Sequence, residues 1–468
     1  MPGQAKPNQA KPLLLNQVKL PLTRNQIRGF WAAWGGWALD GMDSFIYALV
    51  LAPALRELLP RSGISATTGA IGYYGGLLFA LFLIGWGLSF LWGPIGDRFG
   101  RVRTLMLTIL CYSVFTFLGA IATNVWMLAA FRLVSGIGIG GEWTLGGIFV
   151  AEEWPEERRA TGAGYMHTGY YFGVFLAAIA NYTIGAHYGW RAMFAVGGLP
   201  ALLVGYIRYS VAEPERWRAR IGQPDRSRTE AVGRLVGEKK LPAAFVVRLL
   251  HGGRTLSRPL LALFSREYRV RTLLNSLYLF ISIIGLWAGS VYVPASVTQL
   301  AIESGHSVSS AARLASWATM LLSAATILGC LLLPPVAERF GRRRTLAFYF
   351  ALTFASIAVG FGYAFYLKEH ALPWFLACLF FLGIGGANFA MYTLWLPEQY
   401  RTECRASAFA FATSAGRFGG AGITFLVGAG VAHFQTIGIP VALTSIAFLI
   451  GLLLIPFGVE TKGQPLPA

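Results

Sequence analysis

The feature that most constrains this chain is the spacing of its charged residues. Runs without a single Asp, Glu, Lys or Arg cover 62–96, 104–131, 160–190, 272–302, 314–337, 345–367 and 371–397, and 418–459 is longer still. A helix needs roughly 20 apolar residues to cross a hydrocarbon core about 30 Å thick. Each run meets that length. Only 13% of the 468 residues are charged and the mean hydropathy is +0.55, whereas a soluble domain carries about 25% charge. An ordinary soluble enzyme, a disordered chain and a collagen-like chain are therefore excluded. The runs are too long and too evenly apolar for the ten-residue alternation of a membrane β-barrel.

Other stretches qualify once one to three charges are allowed: 29–55 with Asp40 and Asp43, 125–151 with Arg132 and Glu142, 190–212 with Arg191 and Arg208, and 406–433 with Arg417. The pattern predicts an all-α membrane protein with twelve spans, near 29–55, 70–96, 104–123, 125–151, 160–186, 190–212, 272–300, 314–335, 345–367, 372–397, 406–432 and 436–459. Basic residues set the orientation. With a cytoplasmic N-terminus, 31 of the 39 Lys and Arg fall in inside segments and five in outside loops or their edges. This is the positive-inside asymmetry, and it predicts a multi-pass protein of the cell inner (plasma) membrane with both termini cytoplasmic. The net charge of +18 is thereby a topology signal, and no nucleic-acid partner is expected.

The sixth and seventh spans are separated by 213–271, which holds 14 basic and six acidic residues. Within it, Leu241–Tyr268 mixes apolar residues with Arg248, Arg254, Arg258 and Arg266, the composition of an interfacial helix attracted to anionic lipid. The expected organisation is a cytoplasmic segment 1–28, a six-helix bundle 29–212, a basic linker 213–271, a second six-helix bundle 272–459 and a tail 460–468. No secretory signal is expected, because the first 28 residues lack a long apolar core.

The two halves repeat each other. Gly93-Pro-Ile-Gly-Asp97-Arg98-Phe99-Gly100-Arg101-Val-Arg103-Thr104 follows the second span. Pro334-Pro-Val-Ala-Glu338-Arg339-Phe340-Gly341-Arg342-Arg-Arg344-Thr345 follows the eighth, at an offset of 241. Glu152 and Arg159 follow the fourth span, and Glu398 and Arg405 the tenth, at an offset of 246 and with the same spacing of seven.

On these residues the chain resembles the major facilitator superfamily along nearly its whole length. G-x-x-x-D-R-x-G-R between the second and third spans is that superfamily's signature, with a weaker copy between the eighth and ninth. The E-x6-R pairs are similar to those of its sugar- and organic-acid-porter branches. Leu39-Asp40-Gly41-Met42-Asp43, with the stretch from Arg132 through Gly136, Gly138, Gly140 and Gly141 to Glu142-Trp143, resembles the proton symporters for sialate, lactate and related organic acids; aromatic-acid and nicotinate porters share these motifs in part. The resemblance implies two pseudo-symmetric six-helix bundles. Pro334 departs from it by replacing the leading glycine of the second loop motif.

Residue chemistry points the same way. No G-x-x-x-x-G-K-[ST] is present to cradle a nucleotide phosphate. Gly136-x-Gly138-x-x-Gly141 matches a dinucleotide fingerprint only formally, since it lies inside an apolar span, where small residues let helices approach closely. Cys111, Cys330, Cys378 and Cys404 show neither metal-ligand spacing nor a disulfide framework. No cofactor or metal is expected, and no enzymatic constellation is visible.

Charges within hydrocarbon cost at least ~2.5–3.5 kcal/mol each on insertion scales, so those retained there are candidate functional residues. Arg417, near the midplane, would grip a substrate carboxylate, because a guanidinium keeps its charge and binds bidentately. Asp43, Asp40 or Glu142 would carry a coupling proton, with Asp43 slightly preferred over Asp40. Arg132 would pair with one of these acids, and His167 is the next proton carrier. Tyr170, Tyr171, Asn275, Tyr278, Asn388 and Tyr392 would line the cavity. Asp97, Arg98, Arg101, Glu152 and Arg159, with Glu338, Arg342, Glu398 and Arg405, would form ion pairs that latch the cytoplasmic side. The resulting expectation is a monomer in the lipid bilayer that moves a small organic anion with protons by alternating access. A proton-coupled sugar or polyol porter and a metabolite or drug exporter are the alternatives.

Overall fold

A computed structural model of the chain describes residues 21–222, 257–285, 292–434 and 436–467. Among them there are helices and no strands, and eight helices are long and apolar enough to cross a membrane. The first part runs α1 (Arg24–Arg61), α2 (Thr68–Leu88), α3 (Trp92–Phe99), α4 (Arg101–Gly119), α5 (Val125–Glu153), α6 (Arg159–Ala180), α7 (Ala186–Val196), α8 (Ala201–Ser210) and α9 (Glu215–Gly222). The remainder runs α10 (Ser257–Ala262), α11 (Arg269–Gly285), α12 (Val293–Glu303), α13 (Val308–Phe340), α14 (Arg342–Gly362), α15 (Ala371–Gly386), α16 (Asn388–Trp395), α17 (Arg405–Phe434), α18 (Gly438–Leu443) and α19 (Ser445–Leu454).

Side chains cap the helices where the sequence supplies them. Thr23 and Gln26 form a reciprocal capping box before α1, and Thr67, Asn124 and Ser307 accept first-turn amides of α2, α5 and α13. The expected spans are interrupted in places. A 3-10 turn, Ser89–Leu91, separates α2 from α3, and residues 197–200 separate α7 from α8. Residues 223–256 lie outside the described residues, and with them 241–256 of the stretch Leu241–Tyr268 expected as an interfacial helix, as do residues 1–20.

Helices α1, α2, α4, α5 and α6 pack against one another, as do α11, α13, α14, α15, α17 and α19. Small residues make the approaches possible. A Cβ at Gly136 would collide with the backbone of Phe82 and Trp86, and one at Gly383 with that of Leu322. Gly136 therefore does the packing work assigned to it in the sequence, in the way that Gly, Ala and Ser let membrane helices meet.

The two groups touch chiefly through α2 and α3 on α17 and through α6 on α13 and α16. Gly93 lies against Ser407, and Gly164 against Cys330 and Pro334. These approaches fall at the end of the molecule that carries the basic loops, called here the basic end. Gly100 and Gly341, at φ 115° and 89°, turn the chain there between consecutive helices. Glu213 accepts the amides of Val102 and Arg103, both at 3.1 Å. In the other half Glu460 accepts those of Arg342 and Arg343, at 2.9 and 3.2 Å. A carboxylate thus sits on the N-terminus of each following helix, where unpaired amides and the helix dipole favour it.

Candidate functional site

Away from the basic end, the charged side chains buried within the described helices include Asp40 and Asp43 on α1, Arg132 and Glu142 on α5, and Arg417 on α17. They divide into a paired and an unpaired set. Arg132 Nη1 lies 3.5 Å from Asp43 Oδ2, and its guanidinium lies over the adjoining rings of Tyr47 and Phe82, at 4.3 and 4.4 Å from their centroids. Two cation–π contacts hold this arginine in place within the first half.

Asp40, one turn before Asp43, and Glu142 are fully buried, and neither receives a hydrogen bond from a described residue. Gly36 explains how Glu142 reaches α1, because its carboxylate occupies the space a Cβ at position 36 would take. Asp40 interacts electrostatically with Glu142, Asp43 and Arg417. An unpaired buried charge costs several kcal/mol, so such groups neutralise or acquire a partner.

Arg417 reaches across from the second half. Its guanidinium lies 4.1 Å from the ring centroid of Trp86 on α2 and 5.7 Å from that of Trp143 on α5, and Nη1 donates to the Thr413 carbonyl at 3.0 Å. Aromatic rings continue the wall. Trp37 and Trp143 stack at 5.6 Å and 19°, His167 lies 3° from parallel to Phe389 across the gap, and Tyr170 packs on Trp37. Trp143 Nε1 donates to Thr393 Oγ1 at 3.1 Å, a hydrogen bond between the halves. Tyr171, Asn388, Thr326 and Thr353 are among the residues lining a small cavity of about 30 Å³, and Asn388 Oδ1 is buried without a hydrogen-bond partner among the described residues. Trp37, Trp86, Phe389 and Thr393 were not singled out in the sequence, and Trp143 entered only as the last residue of the motif that runs from Arg132. Only the position of Trp143 beside Glu142 could have pointed to any of them.

Three expected lining residues face elsewhere. Asn275 donates to Gln399 Oε1 and Tyr400 Oη at the basic end, since it sits only six residues into α11. Tyr278 donates to the Leu454 carbonyl and stacks on Trp395, inside the second half. Tyr392 shares a 2.7 Å hydrogen bond with Ser282, again within that half.

Ion pairs join the halves at the basic end. Arg101 grips Glu152 through Nε and Nη2, both at 3.1 Å, and also pairs with Asp97. Arg405 reaches the same Glu152 from the second half at 2.7 Å. The mirror arrangement has Arg342 on Glu398 at 3.0 and 2.9 Å, with Arg159 arriving from the first half at 3.3 Å. Asp97 itself crosses over, accepting from Ala406 N, Ser407 N and Ser407 Oγ at 3.3, 2.9 and 2.7 Å. The two nitrogens are first-turn amides of α17, which have no partner inside their own helix. Glu338 does not match it: its side chain is 47% exposed and pairs with Arg342, which opens the next helix of the same half, at 3.2 Å. Arg98 makes no ion pair among the described residues and lies over Phe99. One residue along α3 turns the side chain by about 100°, away from the side on which Asp97 meets Arg101 of the next helix.

Residues 30–468 match the family described as "Sugar (and other) transporter". The chain is 26% identical over 448 residues to the niacin transporter NiaP of Acinetobacter baylyi, covering 96% of this chain and 97% of that one. It is 38% identical over 184 residues to a putative metabolite transport protein of Haemophilus influenzae, which is 38% of this chain and 42% of that protein. It is 33% identical over 192 residues to the sialic acid transporter NanX of Escherichia coli, covering 41% of this chain and 45% of that one. Among solved structures, the proton:xylose symporter XylE of the major facilitator superfamily superposes with a TM-score of 0.73 at 20% identity, over 94% of this chain and 98% of that one.

Proposed function

Because the chain belongs to the sugar (and other) transporter family of the major facilitator superfamily, we propose that this membrane transporter carries a small organic anion, a carboxylate, together with protons by alternating access. The observation that carries the reading is Arg417, a buried guanidinium of the second half laid over Trp86 of the first, with Asp40 in electrostatic reach. A guanidinium in a dry site binds a carboxylate bidentately. It offers a neutral sugar no comparable partner.

The acids then divide by what already holds them. Asp43 is engaged by Arg132, which leaves Asp40 and Glu142 as the pair that takes up and releases the coupling proton. The sequence reading placed Asp43 slightly ahead of Asp40, and the pairing of Asp43 with Arg132 favours the other order. His167, enclosed by Trp37, Trp143 and Phe389, serves with Tyr170 and Tyr171 as wall. These flat rings suit a flat unsaturated acid better than a polyhydroxylated one. Protons moving with the anion offset its charge against a negative-inside potential worth ~2.3 kcal/mol per charge per 100 mV.

The basic end is the cytoplasmic side of a twelve-span, monomeric inner-membrane protein with both termini inside. Asp97, Arg101, Glu152, Arg159, Arg342, Glu398 and Arg405 latch that side while the opposite side admits substrate. Proteoliposome uptake of labelled niacin, benzoates, lactate, sialic acid and xylose, with and without an inward proton gradient, tests the reading. Gradient-driven carboxylate accumulation that is lost in Arg417→Ala supports it. Accumulation of a neutral sugar that carboxylates do not compete for would replace it with a sugar porter.

A further inference from the structure

The segment that follows the last helix does more than leave the bundle. Its first residues are fixed to the second half. Glu460 accepts the amides of Arg342 and Arg343, Thr461 Oγ1 donates to Glu398 Oε2 at 2.6 Å, and Lys462 Nζ donates to the Arg339 carbonyl. Gly463, at φ 73°, then turns the chain, a backbone conformation that only glycine adopts without strain.

Beyond that turn the partners change sides. Leu466 is 5% exposed, its amide donates to Glu156 Oε1 at 3.2 Å, and its carbonyl accepts from Arg216 Nη1 at 3.5 Å. Glu156 and Arg216 both belong to the first half and pair with each other at 3.2 Å, and Glu156 also pairs with Arg159. Pro467 offers its carbonyl to Arg405 Nη2 at 2.6 Å. The other terminal nitrogen of the same guanidinium reaches Glu152 across the gap. One segment therefore touches both cross-gap arginine–glutamate pairs, Arg159–Glu398 through Thr461 and Glu156, and Arg405–Glu152 through Pro467.

We propose that Glu460–Pro467 is a strap that holds the basic ends of the two halves together, with Leu466 as its plug on the first half. The proposal rests on the reading that the halves separate at this end during transport. Separation would strip Leu466 from Glu156 and Arg216 and return its side chain to water, while Glu460, Thr461 and Lys462 stay bound to their own half. The strap thus adds selectively to the closed arrangement, because a group shifts an equilibrium only through contacts that differ between its two states. Its occupancy sets how readily the closed end opens.

Hydrogen–deuterium exchange on the full chain in lipid nanodiscs reads this directly. The Ala406 and Ser407 amides are held across the gap by Asp97, so their exchange reports separation. Leu466→Asp, which sets a carboxylate beside Glu156, and Arg216→Gln should each raise exchange in the peptide covering 405–409 by about five-fold, the equivalent of one ordinary hydrogen bond. Lys462→Ala, whose contact stays within the second half, should leave it unchanged. Glu152→Gln separates the possible failures. If it raises exchange while Leu466→Asp and Arg216→Gln do not, the strap is refuted and separation at this end stands. If none of the three raises it, the latch reading falls and the strap with it. Exchange around Glu57 and Trp190 at the opposite end must stay at the wild-type rate. If Leu466→Asp raises it, Arg216→Gln alone decides.

Discussion

Arg405 Nη1 stands 2.7 Å from Glu152 Oε1, across the gap between the two repeated halves. Arg405 begins α17 and Glu152 is the penultimate residue of α5, 253 positions earlier in the chain. Removing Arg405 leaves Glu152 to Arg101 alone and breaks the cross-gap pair, a loss of up to ~3–5 kcal/mol for a buried pair, whereas an exposed pair contributes ~0–1 kcal/mol. Arg405→Ala should therefore lower the melting temperature in detergent markedly. Arg61→Ala, which removes an exposed pair with Glu57, should change it little. Equal, small shifts for both would show that the cross-gap pair adds nothing.

Arg417→Lys keeps a positive charge but loses the planar fork and the stacking on Trp86. The expectation is a rise in KM of at least ~10-fold, one lost charge-assisted hydrogen bond, with slower uptake still measurable. Arg417→Ala should abolish uptake. Unaltered carboxylate affinity in both variants would remove Arg417 from the substrate site.

For the acids, chemistry and stability should separate. Asp40→Asn and Glu142→Gln should retain counterflow exchange of the anion while losing accumulation driven by a pH gradient. Asp43→Asn should instead lower thermal stability, because it leaves the Arg132 guanidinium buried without its carboxylate. Counterflow and thermal unfolding on the three variants check this. Loss of gradient-driven accumulation in Asp43→Asn alone would reverse the assignment.

Gly36→Ala places a methyl group where the Glu142 carboxylate lies. Overpacking of this kind costs ~1–3 kcal/mol, and here it also displaces the acid from α1. The expected result is weakened coupling, read as a smaller ratio of accumulation with and without a proton gradient. Gly205→Ala, where added bulk meets open space, should behave as wild type.

Much of this architecture is legible from the chain itself, since a hydrocarbon solvent leaves charge spacing as a strong signal. The α5 span was expected at 125–151 and runs Val125–Glu153. The repeats Glu152/Arg159 and Glu398/Arg405 fixed which residues meet at the basic end, although not that each arginine answers the glutamate of the other half. Sequence spacing reports the face of one helix, and partner choice across a gap depends on how two bundles lean together. Glu213 and Glu460, which cap the helices after Gly100 and Gly341, escaped notice because a lone acid after a span looks like any loop charge. The aromatic wall escaped for a related reason. Trp37, Trp143 and Phe389 are apolar residues among apolar residues, and only packing distinguishes rings that face the gap from rings that face lipid. Asn275 and Tyr278 were misplaced because polarity within a span signals a partner without saying which helix supplies it.

The most direct measurement of the central claim is proton movement itself. Proteoliposomes holding a pH-sensitive dye inside, with no imposed gradient, would receive a pulse of an aromatic carboxylate. The account predicts that the lumen acidifies as the anion enters, that Asp40→Asn and Glu142→Gln abolish the acidification while exchange persists, and that Arg417→Ala abolishes both. Carboxylate entry in the wild type with no change in luminal pH, or acidification unaltered in all three variants, would contradict it.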